Sequence, residues 1–173
     1  DKGFTYQIGC GAQISAITNI KTVCDFRSLD VAHGGQGAPL VPVGDLHLFS
    51  EYDYCLNIGG IANISYNENG NRIAADIDFA NINSNILSNK LGFQMDESGH
   101  IAQSGKINKP LLNTLSKNSF YKNKFPKSLS IEDYDNWYKP IIDKYEISIE
   151  DKLHTAGINL CKNILNTINI KKA

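Results

Sequence analysis

An α/β fold is predicted by three features of the sequence: a strand-helix-strand order over roughly the first 26 residues, a β-meander from 54 to 76, and amphipathic helices over most of the remainder. The first feature is the repeating unit of α/β proteins, in which functional groups gather beyond the carboxyl ends of strands. At 173 residues the chain can form one good core or two small ones.

Phe4 to Ile8 reads as a short strand by β-propensity, and Gly9-Cys10-Gly11 as the turn leaving it. A helix is expected over Ala12 to Thr18 with Ile14 and Ile17 on its buried side. Lys21 to Phe26 is expected as the next strand, delivering Asp25 and Arg27 into a glycine-rich loop that Pro39 and Pro42 close. Leu46 to Tyr52 reads as a connector. Tyr54 to Ile58 and Ile61 to Tyr66 are strands joined through Gly59-Gly60 as a tight hairpin, and Asn67 to Asn71 is a turn rich in residues that accept left-handed backbone angles. Arg72 to Asp76 returns as a third strand. Helical spacing then runs from Phe79 to Leu91 with Gly92 at the stop, and again from Ile107 to Leu115. Asp96 to Gly99 is a turn, and 116–130, with Pro126 and many polar residues, is a solvated connector. Ile131 to Lys144 is expected as helical pieces interrupted at Pro140, anchored by Trp137 and Tyr138. Ser148 and Asp151 make a start like a capping box for a last helix reaching Ile168, with Leu153, Ala156, Leu160, Ile164 and Ile168 on one face.

A net charge of −1, with 42% hydrophobic and 20% charged residues, offers no electrostatic footprint for nucleic acid or an anionic membrane. No apolar run nears the roughly 20 residues that span a bilayer, and the first residues lack a signal-peptide pattern, so a cytoplasmic setting is expected. The four cysteines form no Cys-x-x-Cys pair and read as buried free thiols. None of the four histidines is spaced for a metal site.

Residues 25–40 hold the densest chemistry. Asp25 and Asp30 could serve as a general base towards a hydroxyl or water, and Arg27 could neutralise charge on an oxyanion or hold a substrate carboxylate. Arginine is scarce here: fifteen of the 17 basic residues are lysine, so a guanidinium at 27 suggests a use for its planar fork. Structural alternatives are an Asp25 to Arg27 pair and a turn capped by Asp30. Gly34, Gly35 and Gly37 provide backbone freedom or close approach. With Arg27, His33 and Gln36 they are the candidate substrate-binding residues, though His33 could equally be solvated.

The second motif is Leu56 to Ile64. A Gly59-Gly60 turn can bring backbone N–H groups against phosphate oxygens, with Asn57 and Asn63 flanking, or it can be an ordinary turn of a meander. Asp76 and Asp78 alternate about Ile77, so a regular strand would place both on one face, where they call for a cation such as magnesium or for solvation.

The runs 22–42 and 56–64 closely resemble the two central signatures of 1,6-anhydro-N-acetylmuramic acid kinases, and weaker similarity covers nearly the whole chain, including 7–12, 96–105 and 126–128. That resemblance implies an actin-like ATPase fold of two lobes with a ribonuclease-H-like sheet and ATP in the cleft, incomplete in this chain. Residues 1–45 would be the C-terminal part of the first lobe and 46–173 most of the second. It further implies an ATP- and Mg2+-dependent phosphotransferase that hydrolyses the 1,6-anhydro bond of anhydro-N-acetylmuramic acid and phosphorylates O6, in peptidoglycan recycling. Asp30 would be the base, with Asp25 and Arg27 assisting. Asn57, Gly59, Gly60, Asn63, Asp76 and Asn81 would bind nucleotide, and Asp76 the metal. A sugar and ATP are the expected partners, and a homodimer the assembly considered. Two departures stand out. The family's Phe-Asp-Thr-Gly-Pro-Gly-Asn signature is here Ala75-Asp-Ile-Asp-Phe-Ala-Asn81, keeping Asp76 and Asn81 but losing both glycines, which opens the alternative of a relative that binds sugar or nucleotide without turnover. Further phosphate- and adenosine-binding segments are expected before residue 1 and after 173, so the chain alone is expected to be inactive.

Overall fold

The computed structural model describes residues 9–34, 37 and 40–170. The chain divides between Ser50 and Glu51 into two compact units. The predicted strand over Phe4 to Ile8 lies outside the described residues.

In the first unit, α1 (Gly11–Thr18) forms where expected. Its apolar stripe is not buried, however: Ile14 is 50% and Ile17 84% exposed, while Cys24 and Thr22 lie against Gly11 at the start of the helix. The strand expected over Lys21 to Phe26 does not form. A strand needs a neighbour's backbone to pair with, none is present among the described residues of this unit, and Asp25 takes a left-handed φ of 67° that ends any extended run. Helix α2 (Phe26–Ala32) begins immediately after it. Half of the expected loop is therefore helix, and the glycines enter only at 34. Helix α3 (Val41–Leu48) takes up residues 46–48 of the connector expected over Leu46 to Tyr52, with a proline in its first turn, where a missing N–H costs nothing. Three cysteines, 10, 24 and 161, are exposed and Cys55 is half-buried; all are free, which corrects the expectation of burial.

In the second unit the meander forms as an antiparallel sheet in the order β1 (Tyr54–Ile58), β2 (Ile61–Glu68), β3 (Asn71–Phe79). Asn69 and Gly70 both take positive φ, 50° and 80°, the angles that close a two-residue hairpin. Helix α4 (Asn81–Asn89) follows and stops at Gly92, whose φ is +85°. Two short helices, α5 (His100–Ser104) and α6 (Lys109–Ser116), come next, with Asp96 accepting from the Ile101 and Ala102 amides (2.7 and 3.0 Å) and Asn108 capping Leu111 N–H (2.9 Å).

Residues 116–130 are more than a solvated connector. Phe120 and Leu129 are buried, and Lys127 O accepts from Asp76 N (2.9 Å) along β3. Beyond them, α7 (Ile131–Asp133) opens on a reciprocal capping box of Ser130 and Asp133 and runs through a wide turn, Tyr134–Tyr138, into α8 (Lys139–Asp143). Helix α9 (Ile149–Ile170) closes the unit. Its Asp151 takes Ser148 Oγ through its backbone N–H (3.1 Å), while its carboxylate is spent on Lys106 N (2.7 Å). One core gathers Phe79, Leu87, Leu111, Leu115, Tyr138 and Leu153, and a second seats Leu160, Ile164 and Ile168 of α9 against Ala62, Ile64 and Ile77 of the sheet.

Where α5 ends against α9, Gly105 has no room for a side chain: an added Cβ would overlap the Glu150 carbonyl and come within 2.8 Å of Asp151 N. Backbone cannot move aside as a side-chain tip can, so Gly105→Ala is expected to destabilise the second unit by about 2 kcal/mol, read as a lower denaturant midpoint.

Candidate active site

Helix α2 and the glycines after it make one joint. Arg27 and Asp30 lie three residues apart and so share a helix face. Between them they hold a single glycine: Arg27 Nη1 donates to Gly37 O (2.5 Å), and Gly37 N donates to Asp30 Oδ2 (2.7 Å). Gly37 is buried with φ +69°, and a Cβ there would press on Val31 Cγ2 at 3.1 Å, so both its backbone angle and its surroundings favour glycine. Of the two readings of Asp30, the capped turn is therefore present. Its other oxygen, Oδ1, has no protein donor among the described residues, and the side chain is exposed. The alternative Asp25 to Arg27 pair does not form; Asp25 sits just before α2, exposed and without a side-chain cap bond. His33 ends α2, exposed, its N–H on the Leu29 and Asp30 carbonyls (3.2 and 3.1 Å), and Gly34 follows with φ +87°. Gly35 and Gln36 lie outside the described residues. Arg27, Asp30 and Gly37 are thus brought together, while Asp25 and His33 mark the two ends of the same helix.

On the second unit, strand register assembles the other set. Asn57 pairs with Asn63, and Asn63 with Asp76, so one residue from each strand stands in a single row on one face of the sheet. The neighbouring row is Ile58, Ala62 and Asp78. Adjacent rows point to opposite faces, and this overturns the expectation that Asp76 and Asp78 share one. The cause is a bulge: Ala62 opposes Asp78 and Asn63 opposes Asp76, leaving Ile77 as an extra residue that inverts the alternation.

The two carboxylates accordingly have different surroundings. Asp76 is half-buried, and Oδ2 accepts from Leu129 N (2.8 Å); burial raises its pKa, partly offset by that bond. Asp78 is fully buried and receives four donors: Phe79 N (2.8 Å) and Tyr121 OH (2.8 Å) on Oδ1, Asn159 Nδ2 (2.8 Å) and Asn163 Nδ2 (2.9 Å) on Oδ2. Burial pushes its pKa up to about 6 against the pull of those donors. Four donors satisfy it. Tyr121, Asn159 and Asn163 were not singled out from the sequence; two asparagines four apart on the inward stripe of α9 are the signal that could have found them.

At the tip of β1 and β2, Gly59 O accepts from Asn81 N (3.1 Å), and Gly60 O from Ala80 N (3.0 Å) and Ile82 N (3.1 Å), so the turn is seated on the start of α4. Of the six residues expected to bind nucleotide, three lie in one row, two in the adjoining turn, and Asn81 at the start of the helix on which that turn is seated. Among the described residues no group of three or more His, Cys, Asp or Glu is gathered. A half-buried Asp76 beside amide-bearing Asn63 is an all-oxygen donor set of the sparse kind that suits magnesium, which binds through one or two carboxylates and substrate phosphates.

Comparison with known proteins bears on what these residues serve. A family model described as Anhydro-N-acetylmuramic acid kinase matches residues 1–169. An anhydro-N-acetylmuramic acid kinase of Zymomonas mobilis is 41% identical over 98% of this chain and 47% of its own length. Proteins of the same name from Saccharophagus degradans and Shewanella frigidimarina are 39% and 34% identical, each over 98% of this chain. The chain spans about half the length of the relatives it matches, 47% and 48% in these cases.

Proposed function

The chain belongs to the anhydro-N-acetylmuramic acid kinase family, and from that premise we propose that the full-length protein hydrolyses the 1,6-anhydro bond of anhydro-N-acetylmuramic acid and transfers the γ-phosphoryl group of ATP to O6. This reaction belongs to cytoplasmic recycling of peptidoglycan sugars; among the described residues no helix is long and apolar enough to cross a membrane. The observation that carries the reading is the joint at Gly37, which supports Asp30 as base: one oxygen is anchored to Gly37 N–H and the other has no protein donor among the described residues. Asp30 takes a proton from water as that water's oxygen bonds to the anomeric carbon; the bond from that carbon to O6 breaks, and O6 bonds to the γ-phosphorus as the bond from that phosphorus to the bridging oxygen breaks and ADP leaves. Arg27 fixes the glycine turn through one N–H of its guanidinium, which leaves further donors of its fork for the substrate. Asp25 serves as the entry to α2, and His33 and Gly34 to Gly37 line the sugar. Asn57, Gly59, Gly60, Asn63 and Asn81 bind the nucleotide. Asp76 with Asn63 would hold magnesium, whose charge neutralises the phosphate oxygens.

The direct test is to incubate the full-length protein with anhydro-N-acetylmuramic acid, ATP and magnesium and follow the sugar by mass spectrometry. Gain of one phosphate and one water supports the reading, and sugar bound without product sinks it. Gly59→Ala separates phosphate approach from folding. A Cβ there meets nothing closer than 3.9 Å, so the fold should stand, while KM for ATP is expected to rise about tenfold in steady-state kinetics as the backbone is shielded.

A further inference from the structure

A cleft of about 920 Å³ opens on the second unit between α6, the 119–127 segment and the C-terminal half of α9. Its walls carry four lysines, Lys122, Lys124, Lys127 and Lys162, against one acid, Glu68. In a chain of net charge −1, four lysines against Glu68 and the buried Asp78 behind the floor, whose carboxylate interacts with Lys127, leave a positive excess around a single concavity. Among the described residues no carboxylate forms an ion pair with Lys122, Lys124 or Lys162. Like charges facing one another across low-dielectric walls repel and focus their field into the cleft, so the arrangement is relieved by an anion.

Lys127 is held differently. Its Nζ donates to Phe120 O (3.1 Å) and lies 4.4 Å from the centroid of the Phe120 ring, half-buried, with its pKa lowered by desolvation. It is a fixed cation in the wall, whereas the other three lysines are free to close on a ligand.

The remaining lining narrows the class. Asn113, Asn123 and Asn166 bring carboxamides that both donate and accept, the capacity that a ring bearing several hydroxyls requires. Tyr121 and Asn163 also line the cleft, but their polar groups are committed to Asp78, so the floor is rigid before anything binds. We propose that this cleft binds a small sugar phosphate, with the phosphate held by the lysines and the hydroxyls by the asparagines. The site differs from the Gly59-Gly60 turn in its residues: its lining runs from Ile77 at the bulge of β3 to Glu68 at the far end of β2 and includes none of the six residues expected to bind nucleotide. It does not depend on the kinase reading.

The test is calorimetric titration of the full-length protein with glucose 6-phosphate, in the presence of a saturating non-hydrolysable ATP analogue that occupies the nucleotide phosphate site. Saturable binding is expected, weakened at least tenfold by Lys124→Gln with Lys162→Gln, within twofold of the parent for Asp30→Asn, and falling as salt rises. Glucose and inorganic phosphate should each bind at least tenfold more weakly than glucose 6-phosphate. Circular dichroism of the lysine variant confirms that it is folded, both side chains being exposed. Absence of saturable binding, equal binding by the lysine variant, or loss of binding in Asp30→Asn overturns the proposal. Equal affinity for inorganic phosphate overturns it as well, since the cleft would then recognise an anion and no sugar.

Discussion

Asparagine in place of Asp30 is expected, on the proposed function, to lower kcat of the full-length protein by about 10³-fold with little change in KM for the anhydro sugar. The variant isolates the proton-accepting role because the amide oxygen still accepts from Gly37 N–H, leaving the joint at Gly37 closed. Alanine at 30 removes both tasks, and its extra loss over asparagine measures what the anchored turn contributes. Turnover by Asp30→Asn within threefold of the parent would show that another group is the base.

The second large effect concerns the buried carboxylate of Asp78. Asp78→Ala strips the acceptor from Phe79 N, Tyr121 OH and Asn163 Nδ2 and one of two acceptors from Asn159 Nδ2 at once, at a position that is itself fully buried. Stranded buried donors cost about 1–3 kcal/mol each before relaxation, so a loss of about 4 kcal/mol is expected. Where amide exchange along β3 is governed by opening, that is about 10³-fold faster exchange. The intact protein should also show a pH signature. The folded pKa of about 6 lies above the ordinary 3.8, so the folded state binds the proton more tightly than the unfolded chain. Its contribution is fully present below about pH 4, declines as pH rises towards 6, and is gone above 7, a span of about 3 kcal/mol for two pH units. Asp78→Asn should flatten that slope and lose stability at every pH, because its NH2 would face Phe79 N–H. An unchanged slope in that variant would assign the titration elsewhere.

The second unit was legible where local periodicity and tertiary demand agree. β1 begins and ends at the predicted residues, and α9 starts at its predicted cap, since alternation, a left-handed Asn69-Gly70 pair and a serine cap each act over a few neighbours. Two features were not legible, for a common reason: each depends on residues far away in sequence. The run Lys21 to Phe26 has strand composition, yet pairing requires another strand, and the left-handed angle at Asp25 launches a helix instead. The bulge at Ile77 is set by the pairing of β2 with β3 and cannot be read from alternating Asp76 and Asp78. In the candidate site, the chemistry-bearing residue types were visible as clusters. That Arg27 and Asp30 spend themselves on one glycine was not, because it requires knowing that 26–32 is helical and puts them on one face.

On the proposed function, the seating of the Gly59-Gly60 turn on α4 bears on the energetics of nucleotide capture. A trans peptide holds its C=O and N–H antiparallel. With Gly59 O fixed on the Asn81 amide, the N–H of Gly60 is fixed facing away from the helix. The orientational entropy that a pair of glycines would otherwise lose on meeting an anion has thus been surrendered during folding. The most pliable residues of the sheet become a preset grip, and the loop entropy of two glycines is no longer charged against affinity.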